Sequence, residues 1–142
     1  QANFEALNSS EKEKHLISLS NDIIKLLGPG YYREVTPTIT EEKFESSDKR
    51  SEISRNIGRT YYEVTYGYDN SKESLDFPFS AKVSIWKDTG EPFEVIFGNG
   101  YGRNFFFITY DEVLKRKVIM EPVPYQQIKS QKTKIINETP IK

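Results

Sequence analysis

The stretch Ala81-Lys82-Val83-Ser84-Ile85-Trp86-Lys87-Asp88-Thr89-Gly90-Glu91-Pro92-Phe93-Glu94-Val95-Ile96-Phe97 reads as two strands around one turn. Phe79, Ala81, Val83 and Ile85 share one parity, and Ser80, Lys82, Ser84 and Trp86 the other, the period-two pattern of a strand with one apolar face. Gly90 stands third in the loop Asp88-Thr89-Gly90, where a type I turn closed by a G1 bulge wants a residue of positive φ. That loop pairs Lys87 with Glu91. Counting outward, Ile85 faces Phe93, Val83 faces Val95 and Ala81 faces Phe97, so the large apolar residues gather on one face. A two-residue turn would set Ile85 against Glu94 and break the pattern, which decides the register in favour of the bulged hairpin.

On the N-terminal side of this hairpin a second strand signal starts at Arg59. Tyr62, Val64, Tyr66 and Tyr68 alternate with Tyr61, Glu63 and Thr65. The turn residues Asp69-Asn70-Ser71-Lys72 and then Pro78 separate it from the hairpin. On the other side, Gly98-Asn99-Gly100-Tyr101-Gly102-Arg103-Asn104 reads as the next reversal, which pairs Phe97 with Phe105 and Val95 with Phe107. The sheet therefore spans residues 59–110. The 9 Tyr and 9 Phe of the chain, concentrated there, favour a pleated surface over a helix.

Upstream, Ser10 followed by Glu13 has capping-box spacing, and Leu16, Leu19, Ile23, Leu26 and Leu27 recur at helical intervals. Gly28 suits a left-handed cap and Pro29 forbids continuation, which predicts a helix over residues 11–27. Tyr31 to Ile39, interrupted by Pro37, reads as a short or edge strand. Residues 40–55 are dense in charge and serine and read as a mobile excursion with at most a helical turn. Val113 to Met120 suits either a helical turn or a last strand, and residues 121–142 form a polar tail opened by Pro122 and Pro124. The expected fold is α+β: one domain over residues 1–142, an N-terminal amphipathic helix on a four- to five-stranded antiparallel meander. A chain of 142 residues is long enough for one core and short for two.

Composition narrows the function. Lys and Arg number 20 against 21 Asp and Glu, so no net field concentrates polyanions, and nucleic acid is not an expected partner. With no cysteine there is no disulfide, thiolate nucleophile or cysteine metal site. His15 is the single histidine and sits in the first helix next to its apolar stripe, so no histidine pair or histidine metal cage forms within one chain and a Ser-His-Asp arrangement is not expected. Asp69, Asp76, Asp88, Asp111 and Glu112 stand near strand ends, but no spacing singles out a catalytic carboxylate pair. No enzyme activity, metal or cofactor is expected. No apolar run reaches the length of a spanning helix, and the polar start Gln1-Ala2-Asn3-Phe4 is expected to follow a removed leader or a trimmed end.

The pairing that gathers one core leaves Trp86, Ile96, Phe106, Ile108 and Tyr110 on the opposite face. A face so apolar is expected to be covered by the tail from Val123 to Ile136, by a second copy of the chain as a homodimer, or by a protein or peptide partner. The candidate binding residues are Trp86, Phe106 and Ile108 as apolar anchors, with Tyr101, Arg103 and Asn104 at the glycine-rich loop tip supplying a ring and orienting hydrogen bonds. That loop lies between two strands, so it lacks the helix dipole and orphan amides of a phosphate cradle.

The segment Ala81–Phe93, a strand reaching an acidic-x-Thr-Gly-Glu-like turn and returning, resembles the last hairpin of PepSY-type domains, and the preceding helix suits that family and the broader cystatin-like plan of a helix on a sheet. The resemblance implies a small extracytoplasmic bacterial module, secreted, periplasmic or membrane-tethered, that binds or restrains a partner, sometimes a peptidase. The aromatic sheet is also similar to nuclear-transport-factor-like domains, which would imply a small-ligand pocket between helix and sheet lined by Tyr62, Tyr66 and Phe107.

Overall fold

The structure, a computed structural model, describes residues 3–33 and 36–127. The chain forms helix α1 (Ser9–Leu27), strand β1 (Thr38–Lys43), a short helix α2 (Ser51–Ser54), strands β2 (Thr60–Tyr66), β3 (Ala81–Trp86), β4 (Pro92–Phe97) and β5 (Gly102–Asn104), and helix α3 (Tyr110–Leu114). The five strands make one antiparallel meander in the order β1-β2-β3-β4-β5, with α1 across one face, as the α+β reading expects.

α1 starts two residues before the expected box. The cap is Asn8, whose side chain accepts from the Glu11 amide at 2.8 Å while Glu11 Oε1 accepts from the Asn8 amide at 3.0 Å. Asn8 and Glu11 keep the spacing read at Ser10 and Glu13, and starting there adds half a turn of backbone hydrogen bonds. At the far end the Gly28 amide donates to the Ile24 carbonyl, but Gly28 is extended (φ −109°) rather than left-handed. Its glycine is required by proximity instead: a Cβ there would lie 2.2 Å from the Phe97 ring. Leu16, Ile23, Ile24 and Leu27 are buried on the sheet, each contributing about 1.5–3 kcal/mol of apolar burial. Leu26, read as part of that stripe, is exposed.

The edge strand is displaced from the expected range and shares only Thr38 and Ile39 with it. β1 begins only after Pro37 and runs through Lys43, pairing Thr38 with Thr65 and Lys43 with Thr60, so it takes its other residues from the charged stretch. An edge strand half out of contact with the core tolerates Thr-Ile-Thr-Glu-Glu-Lys because, of its helix-side residues Ile39, Glu41 and Lys43, only Ile39 packs against the core. Glu34 and Val35, part of the expected strand, lie outside the described residues. The remainder of that stretch contains the expected helical turn, α2, and packs on the sheet: Phe44 and Ile53 are buried, and Arg50 and Asp48 are bonded at 2.7 Å.

The central hairpin keeps the expected register away from its turn, with Ala81 opposite Phe97 and Val83 opposite Val95, and departs from it near the turn. The Trp86 amide donates to the Glu91 carbonyl and the Gly90 amide to the Trp86 carbonyl, so the loop holds four residues, Lys87 to Gly90, with Gly90 at φ +75°. Ile85 then faces Pro92, and Phe93 becomes the extra residue of a bulge. The β4–β5 turn is shorter than expected. Asn99 accepts from the Tyr101 amide and Gly100 takes φ +86°, which pairs Val95 with Arg103 and Glu94 with Asn104, four residues from the expected register. An even slip preserves the faces, so Phe105 still enters the core beneath α1. Beyond Asn104 the strand ends. Phe107 is exposed, and Tyr110 turns back to the helix side, 5.4 Å from the Phe105 ring. The undecided segment forms no strand: α3, capped reciprocally by Thr109 and Glu112, takes in only its first two residues, Val113 and Leu114, and residues 115–120 are turn and irregular.

Candidate functional site

The second face of the sheet carries its own cluster. Trp86 and Phe93 stack, Phe44 meets both edge-on at 5.5 and 5.4 Å, and Ile53, Tyr61 and Phe106 close the group. Arg59 lies 4.1 Å over the Trp86 ring and bonds Asp88 at 2.9 Å. Trp86 is thus 6% exposed beneath residues 44–59. Among the described residues the tail does not supply the cover. Val123 is buried in the helix-side core, its amide donates to the Leu27 carbonyl, and the Gln126 amide donates to the Tyr31 hydroxyl. Ile128, Ile135 and Ile136, expected to share in the cover, lie outside the described residues.

The other candidates are dispersed. Phe106 is partly buried against the Trp86 cluster, and Ile108 is half-buried outside it. Tyr101 is half exposed at its turn. Arg103 is spent on backbone carbonyls, donating to Glu121 at 2.8 Å and Gly102 at 2.7 Å, and this pins the start of the tail beside β5. The Asn104 side chain accepts from the Phe106 amide. The three loop-tip groups therefore do not converge on one ligand position. His15 is structural as well: its Nε2 meets the Gly90 carbonyl at 2.9 Å and its ring lies 5.0 Å from Phe4.

What the sequence reading missed is a cleft between the first half of α1 and the β1–β2 edge. It has a volume of about 490 Å³ and is lined by Lys12, Glu13 and Leu16 of α1, Pro37 and Ile39, Tyr62 of β2, and Lys87. It exists because α1 crosses β2 and β3 and leaves β1 uncovered. The floor is apolar, from Leu16, Pro37, Ile39 and Tyr62, and the rim is charged. Lys87 is bonded to Glu41 at 3.0 Å, and that carboxylate holds its ammonium above the usual lysine value. Lys12 sits 5.7 Å over the Phe4 ring, and among the described residues neither Lys12 nor Glu13 forms an ion pair. The sequence signal for this site was slight: Ile39 is the one apolar residue of β1 and shares parity with Tyr62 once the register is known. The deeper pocket expected from Tyr62, Tyr66 and Phe107 does not form. Tyr66 is 1% exposed and donates its hydroxyl proton to Asn21 at 2.6 Å, and Phe107 lies outside under Arg50.

Elsewhere on the second face, Glu63, Ser84 and Glu94 form a cross-strand row, with Lys82 3.8 Å from Glu63. Burial raises the Glu94 carboxyl above its usual value; the Lys82 ammonium opposes this and the Glu63 charge adds to it. Among the described residues no group of three or more His, Cys, Asp or Glu is arranged to hold a metal ion, and no helix is long and apolar enough to cross a membrane. In comparisons with known proteins, no family model matches the chain, and neither does any curated protein or solved structure.

Proposed function

We propose that the chain is a noncatalytic binding domain whose partner, a protein or peptide segment, enters the cleft between α1 and β1. The observation that carries this reading is the combination in one concave surface of an apolar floor, Leu16, Ile39 and Tyr62, with charged side chains at the rim, Lys12 and Glu13, that form no ion pair among the described residues. The exposed lining is mixed, slightly more polar than apolar, so the floor supplies local apolar contact and the charged rim orientation. The cleft is open along the sheet edge, which favours an elongated segment over a compact molecule. The Trp86 face is less suited to the role, because exposing it would first require displacing Phe44 and Ile53.

Selection from a displayed random-peptide library, followed by amide chemical-shift mapping of a selected peptide, tests the reading. The expected result is shifts centred on Lys12, Ile39 and Tyr62 and loss of binding in Ile39→Glu, a partly buried side chain at the margin of the core, in a variant whose amide spectrum away from β1 shows the fold intact. Shifts centred on Tyr101 or on the Trp86 cluster, or binding unchanged in Ile39→Glu, would overturn it.

A further inference from the structure

β1 differs from the opposite edge of the sheet. β5 has three residues, and Arg103 holds the chain at Glu121 and Pro122 beside it. β1 has six residues, five of them exposed, and among the described strands only β2 lies beside it. The ladder fixes which backbone groups are free. The Phe44 amide donates to the Arg59 carbonyl at 2.8 Å, and this alternation turns Thr38, Thr40 and Glu42 toward β2. The Lys87 amide takes the Thr60 carbonyl on the β3 side of β2, consistent with the same alternation. Ile39, Glu41 and Lys43 therefore direct their N–H and C=O groups outward. These are also the residues whose side chains face the cleft side, with Ile39 on its floor.

Resting on the cleft reading, we propose that the partner segment binds as a sixth, antiparallel strand on the free edge of β1. Its apolar side chains alternate over Ile39 into the cleft, and its basic side chains meet Glu42 on the other face. Charge selects this occupant. Glu42 forms no ion pair among the described residues, and on the same face it neighbours Tyr61, whose hydroxyl is held neutral to higher pH by burial and then by the charges of Glu63 and Glu42. A second copy of this chain is a poorer fit, because self-pairing centred on Glu41 or Glu42 sets like charges opposite each other, and self-pairing centred on Ile39 or Thr40 sets Glu42 opposite a threonine with no basic partner. Main-chain bonds would give affinity and the alternating side chains specificity.

The probe is a blocked peptide of alternating valine and lysine, matched in length to β1 and titrated into the full chain. In an antiparallel pair the residues bonded to Ile39, Glu41 and Lys43 share their face, so the valine amides carry the bonds. N-methylation of the valines should weaken binding by about tenfold or more, whereas N-methylation of the lysines should leave it unchanged. A valine–glutamate peptide should bind about tenfold more weakly than the valine–lysine one. Glu41→Pro removes an outward amide without touching the ladder to β2 and should bind more weakly than Glu41→Ala, which loses only the Lys87 pair. No binding of the valine–lysine peptide at about millimolar concentration, or equal effects of the two methylations, overturns strand addition. If methylation has no effect while Ile39→Glu still abolishes binding, the cleft stands without the strand; if Ile39→Glu has no effect, the cleft itself falls.

Discussion

Trp86 and Phe93 lie nearly face to face, ring centroids 3.9 Å apart and planes inclined by 21°, although strand alternation counted back from Val95 places Phe93 on the other side of the sheet. The bulge at Phe93 accounts for this. By spending one residue without a cross-strand partner, β4 carries its first ring from the helix side to the second face, where Phe44, Tyr61 and Phe106 surround it. A hairpin that looks regular in sequence thereby joins two hydrophobic clusters.

Phe93→Ala should cost about 3–5 kcal/mol, because the cavity opens between Trp86 and Phe44 where little can collapse. Phe93→Leu should restore most of this and leave a deficit of about 1 kcal/mol for the lost ring geometry. Urea denaturation of the three proteins gives both numbers. A loss below about 1 kcal/mol in Phe93→Ala would mean that Phe93 is not part of a packed cluster.

Trp86 is the only tryptophan and reports which segment covers it. Phe44→Ala should destabilise by about 3 kcal/mol and shift native Trp86 emission to the red. Val123→Ala should cost about 2 kcal/mol through the helix-side core and leave the emission unchanged. The opposite pattern of emission would make the tail the cover.

Ser20 is fully buried on α1, and among the described residues its Oγ has no hydrogen-bond partner. Leaving a buried hydroxyl unsatisfied costs about 1–3 kcal/mol, and alanine is the better helix former. Ser20→Ala should accordingly raise stability by about 1 kcal/mol in thermal or urea unfolding. A loss would mean the hydroxyl is bonded in solution.

The Glu94 carboxyl is raised in the folded state, first by burial, against the opposing Lys82 ammonium, and further by Glu63. The folded chain therefore holds that proton more tightly than the unfolded chain, so ionised Glu94 costs stability at neutral pH and the cost is relieved as pH falls through its folded value. Asp88 and Asp48 act in the opposite sense. Hydrogen bonds from Arg59 lower the first, hydrogen bonds from Arg50 bring the second to about 2, and their contributions are lost as pH falls through the folded values. Comparing Glu94→Gln with the parent cancels those shared terms. The variant should be more stable at pH 7 by about 1 kcal/mol or less, with the gap closing toward about pH 4. A gap independent of pH would remove the desolvated carboxylate from the account.

Local chemistry determined much of this fold. The leucine and isoleucine spacing with Pro29 gave one amphipathic helix, alternation gave β2, β3 and β4, and one-sided burial fixed Ala81 opposite Phe97 and Val83 opposite Val95. These features depend on neighbours within a few residues or on a parity that any register must respect. The same parity argument placed Phe106 beside Trp86 despite the wrong β4–β5 register, since an even slip leaves faces unchanged.

Tertiary contacts decided the rest. Nothing local distinguishes Thr38–Lys43 from a charged loop; it is a strand because β2 offers an unpaired edge, and an edge asks for hydrogen bonds more than for apolar side chains. Nor does the sequence around Phe44 and Ile53 name Trp86 as their target, a contact that spans more than thirty residues of chain. The cleft, too, belongs to no segment. It arises from the angle at which α1 crosses β2 and β3, which is set by the packing of Leu16, Ile23 and Leu27 on the sheet and is therefore a property of the assembled layers.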